Sequence, residues 1–302
     1  MKLKTAFLIA VLALPLFAQS KTPYFNHVIY YLLMSDVNGG KPDDYLLNDP
    51  AKIKAAKIKK MEVIKGKEYQ ISPSGGEEKG IKAINRRQVL EFDKNGNPVK
   101  FLQYSYSYGG SLTELIFTYN SNGEISGASY AQKDTTGKKI EVSGKFKFEF
   151  KSGKLTNITY ENGPGEKRFT LDEKYELAYR ADGTIEKITG GKIDWPKTRL
   201  KGDYKGRVGV HEAWKTYVYN YDLNDVINGL AVFDILNDTE WTMNHEFDAK
   251  GNLLSITSSD EKYIDRMTFV PGKDGFPVSA KYVYQPDEKT VMGSNYEFRY
   301  TK

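Results

Sequence analysis

Aromatic and polar residues alternate along much of the chain. The stretch from Lys145 to Phe150 is KFKFEF, and the stretch from Tyr217 to Tyr221 is YVYNY. Such alternation is typical of half-buried antiparallel strands, because successive side chains of a strand point to opposite faces of the sheet. No helical period of useful length interrupts these stretches, so strand–helix–strand units are not expected. The pattern predicts an all-β fold, an antiparallel meander of repeated hairpins that forms a long twisted sheet.

A short unit recurs between the predicted strands. An aromatic residue stands four positions before a glycine in each copy, and Asp or Asn stands three positions before it in three of the copies. Asp and Asn bond their own backbone in turns, and glycine accepts a positive φ, so the unit predicts a hairpin turn. The copies are FDKNGNPVKF (Phe92 to Phe101), YNSNGEISGA (Tyr119 to Ala128), YRADGTIEKI (Tyr179 to Ile188) and FDAKGNLLSI (Phe247 to Ile256).

Two mainly aliphatic columns follow the glycine, two and five positions after it. An odd spacing would place the two columns on opposite faces of a regular strand, so it predicts a β-bulge or a turn residue at the first column. A shorter relative of the unit is FKSGKLTNI (Phe150 to Ile158), and a degenerate one is YDLNDVI (Tyr221 to Ile227).

These columns resemble the tyrosine-aspartate (YD) repeats of Rhs-type bacterial exported proteins, whose unit is Tyr-Asp-x-x-Gly-Arg-Leu-x-x-Val. The match covers five or six short units across roughly residues 90 to 260. The arginine that follows the glycine in that family is replaced in every copy here. The resemblance implies β-hairpins stacked into a long sheet.

The chain divides into three predicted segments. Residues 1–20 are predicted to be a signal peptide, because two lysines precede an apolar run from Ala6 to Ala18 that ends in small residues. Residues 21–57 are predicted to be an irregular segment with a short helix from Pro50 to Lys57, and residues 58–302 a β-hairpin repeat domain. The N-terminal helix and a last strand near Tyr296 to Tyr300 are expected to cover the sheet edges.

The export signal and the composition limit the location and the partners. No later apolar run approaches the ~20 residues of a membrane-spanning helix, so the expected location is the periplasm, the outer-membrane surface or the extracellular medium. The absence of cysteine excludes disulfides and a lipid anchor. Removing Lys2 and Lys4 with the signal leaves 42 basic residues against 39 acids, a balance that predicts no nucleic-acid partner. The predicted partners are an envelope glycan or another envelope protein.

Basic residues concentrate between Ala51 and Lys67, where seven lysines accompany the single acid Glu62. One hypothesis is a contact with an anionic surface such as lipid headgroups or acidic glycan. The alternative is a solvated face, which is the common role of such runs.

The motifs of common catalytic and metal sites are missing from the sequence. The segment Asp93 to Asn97 has oxygens at alternate positions, but Pro98 and Tyr104 occupy the places where a calcium loop needs glycine and a bidentate acid. There is no Gly-x-Ser-x-Gly nucleophile motif. The histidines lack ligand-pair spacing, and His245 alternates with aromatic and apolar neighbours, so packing is favoured for it over catalysis. The sequence predicts no catalytic residue, no metal and no cofactor.

Acidic residues close to tryptophans are the candidate ligand-binding residues, since carbohydrate sites combine carboxylates with stacking rings. They are Asp194, Trp195, Glu212, Trp214, Glu240 and Trp241.

Two hypotheses for the function follow. The first and favoured one is an exported, non-enzymatic β-repeat protein that acts by surface binding. The second is a secreted glycan-binding or glycan-hydrolysing protein that uses the region from Asp194 to Trp241. A small outer-membrane barrel is a third and disfavoured possibility, because many outward positions would carry Lys, Glu or Asn.

Overall fold

A computed structural model gives the fold, and it describes residues 26, 29–30, 32–33, 50–72, 86–105, 110–134, 136–137, 140–162, 174–190, 215–221, 227–234, 239–260, 264–287 and 289–302. Strands dominate this part of the chain, which confirms the predicted all-β antiparallel meander with a short N-terminal helix. The helix, α1, spans Pro50–Ala55. The strands are β1 Lys60–Ile71, β2 Arg86–Phe92, β3 Pro98–Ser105, β4 Ser111–Tyr119, β5 Ile125–Lys133, β6 Ile140–Lys151, β7 Lys154–Asn162, β8 Lys174–Tyr179, β9 Ile185–Gly190, β10 Lys215–Tyr221, β11 Ile227–Asp234, β12 Thr239–Phe247, β13 Leu253–Asp260, β14 Ile264–Pro271, β15 Pro277–Asp287 and β16 Thr290–Thr301.

The strands form a closed antiparallel barrel. Each strand is hydrogen-bonded to the strands before and after it in sequence, and β1 also pairs with β16 over its whole length, from Lys60 opposite Thr301 to Ile71 opposite Val291. The expected covers over free sheet edges are therefore not needed, because closure itself removes the edges. The last strand contributes by pairing with β1, whereas α1 lies at one end of the barrel.

The repeated unit forms the hairpin turns at that end, which we call the turn end. In the first copy, the Gly96 amide donates to the Asp93 carbonyl at 3.0 Å, and Gly96 has a φ of 85°. The ladder shifts register just before the aromatic of each copy, so that Tyr119 pairs with Ile125 while Phe117 pairs with Ala128. This is the predicted bulge, and it is the reason that Ile125 and Ala128 are both buried despite their odd spacing.

The interior of the barrel is apolar in its turn half. The buried residues that face inward near the hairpin turns are almost all hydrophobic, and they include the second aliphatic column of the repeated unit. We call this layer the turn half of the interior; it comprises Leu90, Phe101, Phe117, Ala128, Ile158, Ile188, Ile256, Phe269, Ala280 and Phe298.

The described residues of the N-terminal segment, 26, 29–30 and 32–33, lie with α1 at the turn end, and we call them together the plug. Helical residues that the sequence pattern did not predict, among them Ile29 and Leu32, join Ile53 of α1 in the same hydrophobic core. Asn26 is buried and donates to the Gly123 carbonyl at 2.8 Å, while its side-chain oxygen accepts from the Ile125 amide at 3.0 Å. The plug is therefore fixed by both apolar packing and direct hydrogen bonds to a hairpin turn.

The outer surface carries the charged residues. Glu62 binds Lys60 and Arg87, each at 2.8 Å, and Glu114 is bound by two lysines of neighbouring strands. These ion pairs lie on the outer face, whereas the turn half of the interior is apolar. Within the described residues, no helix has the length and apolar character to cross a membrane.

Candidate functional site

A depression of about 640 Å³ lies on the outer face of the last three strands. We call it the β14–β16 cleft. Its lining residues are Arg266, Thr268, Val270, Ser279, Ala280, Lys281, Val283, Asn295 and Tyr296.

Strand register brings the polar groups of the cleft together. Thr268 lies opposite Lys281, and Lys281 lies opposite Asn295, so a hydroxyl, an ammonium and an amide form one row across three strands. Arg266 is one step along β14 from Thr268 on the same face, and it is diagonal to Lys281, a separation of roughly 7–8 Å between Cα atoms in a sheet. Two cations and two neutral hydrogen-bonding groups therefore lie within reach of one small anionic group.

Arg266 has protein partners beside the cleft. Its Nη2 donates to Glu246 Oε2 at 3.0 Å and to Ser255 Oγ at 3.4 Å. The side chains of both charged residues are more than half exposed, 54% for Arg266 and 60% for Glu246. Such an exposed pair is worth little in free energy, so Arg266 can exchange Glu246 for another anion at small cost.

Lys281 is positioned by a tyrosine of β1. Its Nζ lies 5.8 Å from the centroid of the Tyr69 ring, and the Tyr69 hydroxyl donates to Asn295 Oδ1 at 3.4 Å. The ring also lies against Gly293, where an added Cβ would come within 2.6 Å of it. A bulge between Lys65 and Glu68 sets the register that places Tyr69 opposite this glycine.

Aliphatic residues are part of the cleft lining. Val270 is exposed on β14, and Val283 lies opposite Arg266 on β15. The cleft therefore offers apolar surface beside its two cations.

The structure does not bring the predicted ligand-binding residues together within its described part. Asp194, Trp195, Glu212 and Trp214 lie outside the described residues. Glu240 and Trp241 are consecutive residues of β12, where Glu240 pairs with Phe233 and Trp241 pairs with Val232 and Asp260. The carbohydrate site at these six residues stays a prediction.

Asp93, the acid of the first repeat, accepts hydrogen bonds from backbone amides of its own turn. Its Oδ1 accepts from the Asn95 amide at 2.8 Å and from the Asn97 amide at 2.9 Å. Asp248 accepts the same two backbone bonds in the last copy, and the bonds from the Asn252 amide and side chain hold the pKa of its carboxyl group below its ordinary value. Within the described residues, no group of three His, Asp or Glu is placed to hold a metal ion.

The remaining predictions concern His245 and the lysine-rich segment. His245 is buried, as packing requires, and its ring lies 6.5 Å from that of Phe247. The lysines do not share one face, since Lys52 caps the Gly251 carbonyl at 3.2 Å, whereas Lys65 is buried and binds Glu68 at 2.9 Å.

Sequence reasoning missed the cleft. Arg266, Thr268 and Val270 do alternate along β14, which marks them as one face of a strand. Their neighbours Lys281 and Asn295 come from two other strands, however, and a pattern within one strand carries no information on cross-strand register.

Strand order and surface define the chain as an up-and-down antiparallel β-barrel protein with a concave patch on its outer face. No protein-family model matches the chain, and no curated protein matches it.

Solved structures similar to the chain include β proteins of low sequence identity. A porin-like protein from Bacteroides uniformis is 10% identical, with 81% of this chain and 96% of that chain covered and a TM-score of 0.47. A porin-like protein from Bacteroides vulgatus is 11% identical, with 80% and 97% covered and a TM-score of 0.31. The Rhs-type chain TcdB2-TccC3 is 13% identical, with 70% and 11% covered and a TM-score of 0.29. The TM-scores are all below 0.5, so the fold described above rests on the strand pairing of this chain itself.

Proposed function

We propose that the protein is an exported, non-enzymatic binding protein of the bacterial envelope or its surroundings, and that it binds an anionic polymer in the β14–β16 cleft. The observation that carries the proposal is the convergence of Arg266, Lys281, Thr268 and Asn295 on one concave face. A guanidinium and an ammonium provide charge, and the hydroxyl and amide provide directional hydrogen bonds. The chemistry favours carboxylate or sulfate groups carried on an extended chain, since the cleft is open along the sheet.

Export is the second part of the proposal. It is supported by the charged amino-terminal leader pattern in residues 1–20 and by the absence of cysteine throughout a chain of 302 residues. An exported protein would meet acidic polysaccharides in the bacterial envelope. A barrel held together by strand pairing is suited to that location because it needs no disulfide.

Kinship with YD-repeat proteins is also a proposal, and it is supported by a contact that gives the tyrosine column a role. The hydroxyl of Tyr179 donates to the Leu155 carbonyl at 2.8 Å. Tyr119 makes the same contact with the Pro98 carbonyl. Each acceptor lies two positions after the glycine of the preceding hairpin, so the tyrosine links one unit to the next.

Binding of polygalacturonate, which carries carboxylates, and of heparin, which carries sulfates, tests the cleft against neutral dextran. We expect the wild type to bind at least one anionic polymer, with an affinity that falls as salt rises. The double variant Arg266→Ala/Lys281→Ala should bind at least 10-fold more weakly, whereas Lys187→Ala, an exposed lysine of β9, should bind like the wild type. Failure of the wild type to bind either polymer, or equal binding by the double variant, would overturn the proposal.

A further inference from the structure

A continuous row of polar side chains extends the β14–β16 cleft across the outer face of the barrel. Ser255 lies opposite Thr268, and Thr268 lies opposite Lys281. Lys281 in turn lies opposite Asn295, so the row covers the four strands from β13 to β16. Neighbouring strands are about 4.8 Å apart, which makes the row roughly 14 Å long. Thr268, Lys281 and Asn295 line the cleft, and Ser255 continues the row beyond it.

An ion pair covers Ser255 at this end of the row. Glu246 lies opposite Ser255 on β12, and its Oε2 accepts from Arg266 Nη2 at 3.0 Å. The Ser255 hydroxyl donates to the same carboxylate oxygen at 2.5 Å. Ser255 is only 1% exposed although it belongs to the outer face, whereas the side chains of Glu246 and Arg266 are more than half exposed. The two charged side chains therefore lie over the hydroxyl.

The position of the Glu246 carboxylate is a binding position for an oxyanion. The Arg266 guanidinium supplies charge there, and the buried Ser255 hydroxyl supplies a directed hydrogen bond. Arg266 is at the same time a lining residue of the cleft. An oxyanion of a ligand in the cleft and the carboxylate of Glu246 therefore compete for the same guanidinium.

The Glu246 contact is easier to exchange than that of Glu297, which lies one step along β16 from Asn295 on the same face. Glu297 binds Arg299 through two guanidinium nitrogens, Nε at 2.7 Å and Nη2 at 3.0 Å. Among the described residues, Arg266 reaches Glu246 through Nη2. Pairing through two nitrogens is the stronger and more specific arrangement. Glu246 is therefore the acid that is placed to give way to a ligand.

We propose that Glu246 is an internal competitor for the cleft, and that an oxyanion of the bound polymer displaces it and binds Arg266 and Ser255. This role rests on the anion binding proposed for the cleft, and it adds Ser255 to the residues that contact the ligand. With Glu246 displaced, the row from Ser255 to Asn295 is open to a polymer that runs across the strands.

The expected strength of the competition follows from the exposure of the ion pair. An exposed pair favours the closed over the open arrangement by a factor of roughly 1 to 5. The apparent affinity of a ligand that needs the open arrangement is reduced by the open fraction. Glu246 should therefore weaken polymer binding by about 2- to 6-fold.

Biolayer interferometry with immobilised polygalacturonate, which carries carboxylates, and heparin, which carries sulfates, tests the displacement. Glu246→Gln should bind whichever polymer the wild type binds about 2- to 6-fold more tightly, because a neutral amide no longer holds Arg266. Glu297→Gln is the matched control, since it removes the same charge and releases Arg299, which does not line the cleft. Its affinity should change less than 2-fold. A gain in affinity cannot result from damaged folding.

Two further variants locate the competition at Arg266 and Ser255. In an Arg266→Ala background, Glu246→Gln should give no gain, because the competition acts through the guanidinium. In a Glu246→Gln background, Ser255→Ala should weaken binding about 3- to 10-fold, because there the hydroxyl serves the ligand.

The outcomes separate this inference from the function on which it rests. If neither the wild type nor Glu246→Gln binds either polymer, both the cleft function and the competitor role are wrong. If the wild type binds and Glu246→Gln binds equally well, the competitor role alone is wrong. An equal gain in Glu297→Gln, or a gain that persists in the Arg266→Ala background, would likewise replace the competitor role with a general effect of net charge.

Discussion

The turn half of the barrel interior and the layer farther from the turns are built from the same strands but differ in chemistry. In the turn half, Phe101 is almost completely buried and lies opposite buried Leu115. Two residues farther along β3, Gln103 is buried, accepts a hydrogen bond from Gln88 at 3.0 Å and lies opposite Thr113. The period-2 alternation of a strand therefore determines which residues face inward, but not whether they are polar or apolar.

Two substitutions on β3 test this contrast, and we expect them to change the free energy of unfolding by different amounts. Phe101→Ala should lower the free energy of unfolding by about 3–5 kcal/mol, because it leaves a cavity in the apolar layer. Gln103→Leu should cost less, about 1–3 kcal/mol, because it fills a similar volume but leaves the Nε2 group of buried Gln88 without its acceptor. Urea unfolding of both variants measures the difference. Equal losses would mean that the two halves do not differ.

Substitutions at two turn glycines distinguish the contribution of the plug to stability from that of the turns themselves. Both Gly96 and Gly123 have a positive φ, but an added Cβ at Gly96 would lie 2.1 Å from the Pro50 carbonyl oxygen, whereas nothing lies within 4 Å of one at Gly123. Gly123→Ala should therefore cost about 1–2 kcal/mol from backbone strain alone. Gly96→Ala should cost about 1–3 kcal/mol more, because it also pushes α1 away from the turn. Thermal unfolding checks this, and similar losses for the two variants would show that α1 does not dock on the β2–β3 turn.

The tyrosine links between hairpins should have a moderate effect. Tyr179→Phe removes the bond to the Leu155 carbonyl and should cost about 0.5–1.5 kcal/mol. Burial also raises the pKa of the Tyr179 hydroxyl above 10, so the fold favours the neutral phenol. Stability from this group is fully present below pH 10 and is lost as the pH rises beyond it. In melting curves recorded between pH 9 and 11, the variant should lose less stability with rising pH than the wild type does.

The smallest expected effect is the pH dependence of the outer face. Burial would raise the pKa of Glu114, but hydrogen bonds from Lys133 at 2.6 Å and Lys100 at 3.0 Å outweigh it and hold the pKa below 4.5. This stabilisation is present above pH 4.5 and is lost as the pH falls through the lower folded value. Glu114→Gln should therefore flatten the stability profile between pH 5 and 3, by roughly 1 kcal/mol or less at such a surface site. An unchanged profile would show that the lysines do not act on this carboxyl group.

Much of the fold could be predicted from the sequence, because it depends on local rules. The alternation of residues 145–150 lies in β6, and the glycine turns lie where the repeat predicts them. The odd spacing between Ile125 and Ala128 predicted the bulge that the register of β4 with β5 shows.

The rest depends on contacts between distant parts of the chain. Nothing local in β1 or β16 specifies that Lys60 pairs with Thr301. The helical residues before α1, such as Ile29 and Leu32, were missed because they lie in a segment in which the sequence shows no long helical period. The cleft was missed because Arg266 and Lys281 meet only through cross-strand register.

The barrel has an inside and an outside only because β1 pairs with β16. This pairing can be tested with engineered disulfides, because the chain contains no cysteine of its own. Glu62 lies opposite Arg299 in the register of these strands. The double variant Glu62→Cys/Arg299→Cys should form an intramolecular disulfide on mild oxidation, since paired residues lie within the roughly 4.4–6.8 Å between Cα atoms that a disulfide needs. The variant Glu62→Cys/Asn295→Cys, displaced four residues along β16, should remain reduced. Closure by β1 and β16 predicts rapid bridging of the first variant only, and an open sheet would leave both variants unbridged.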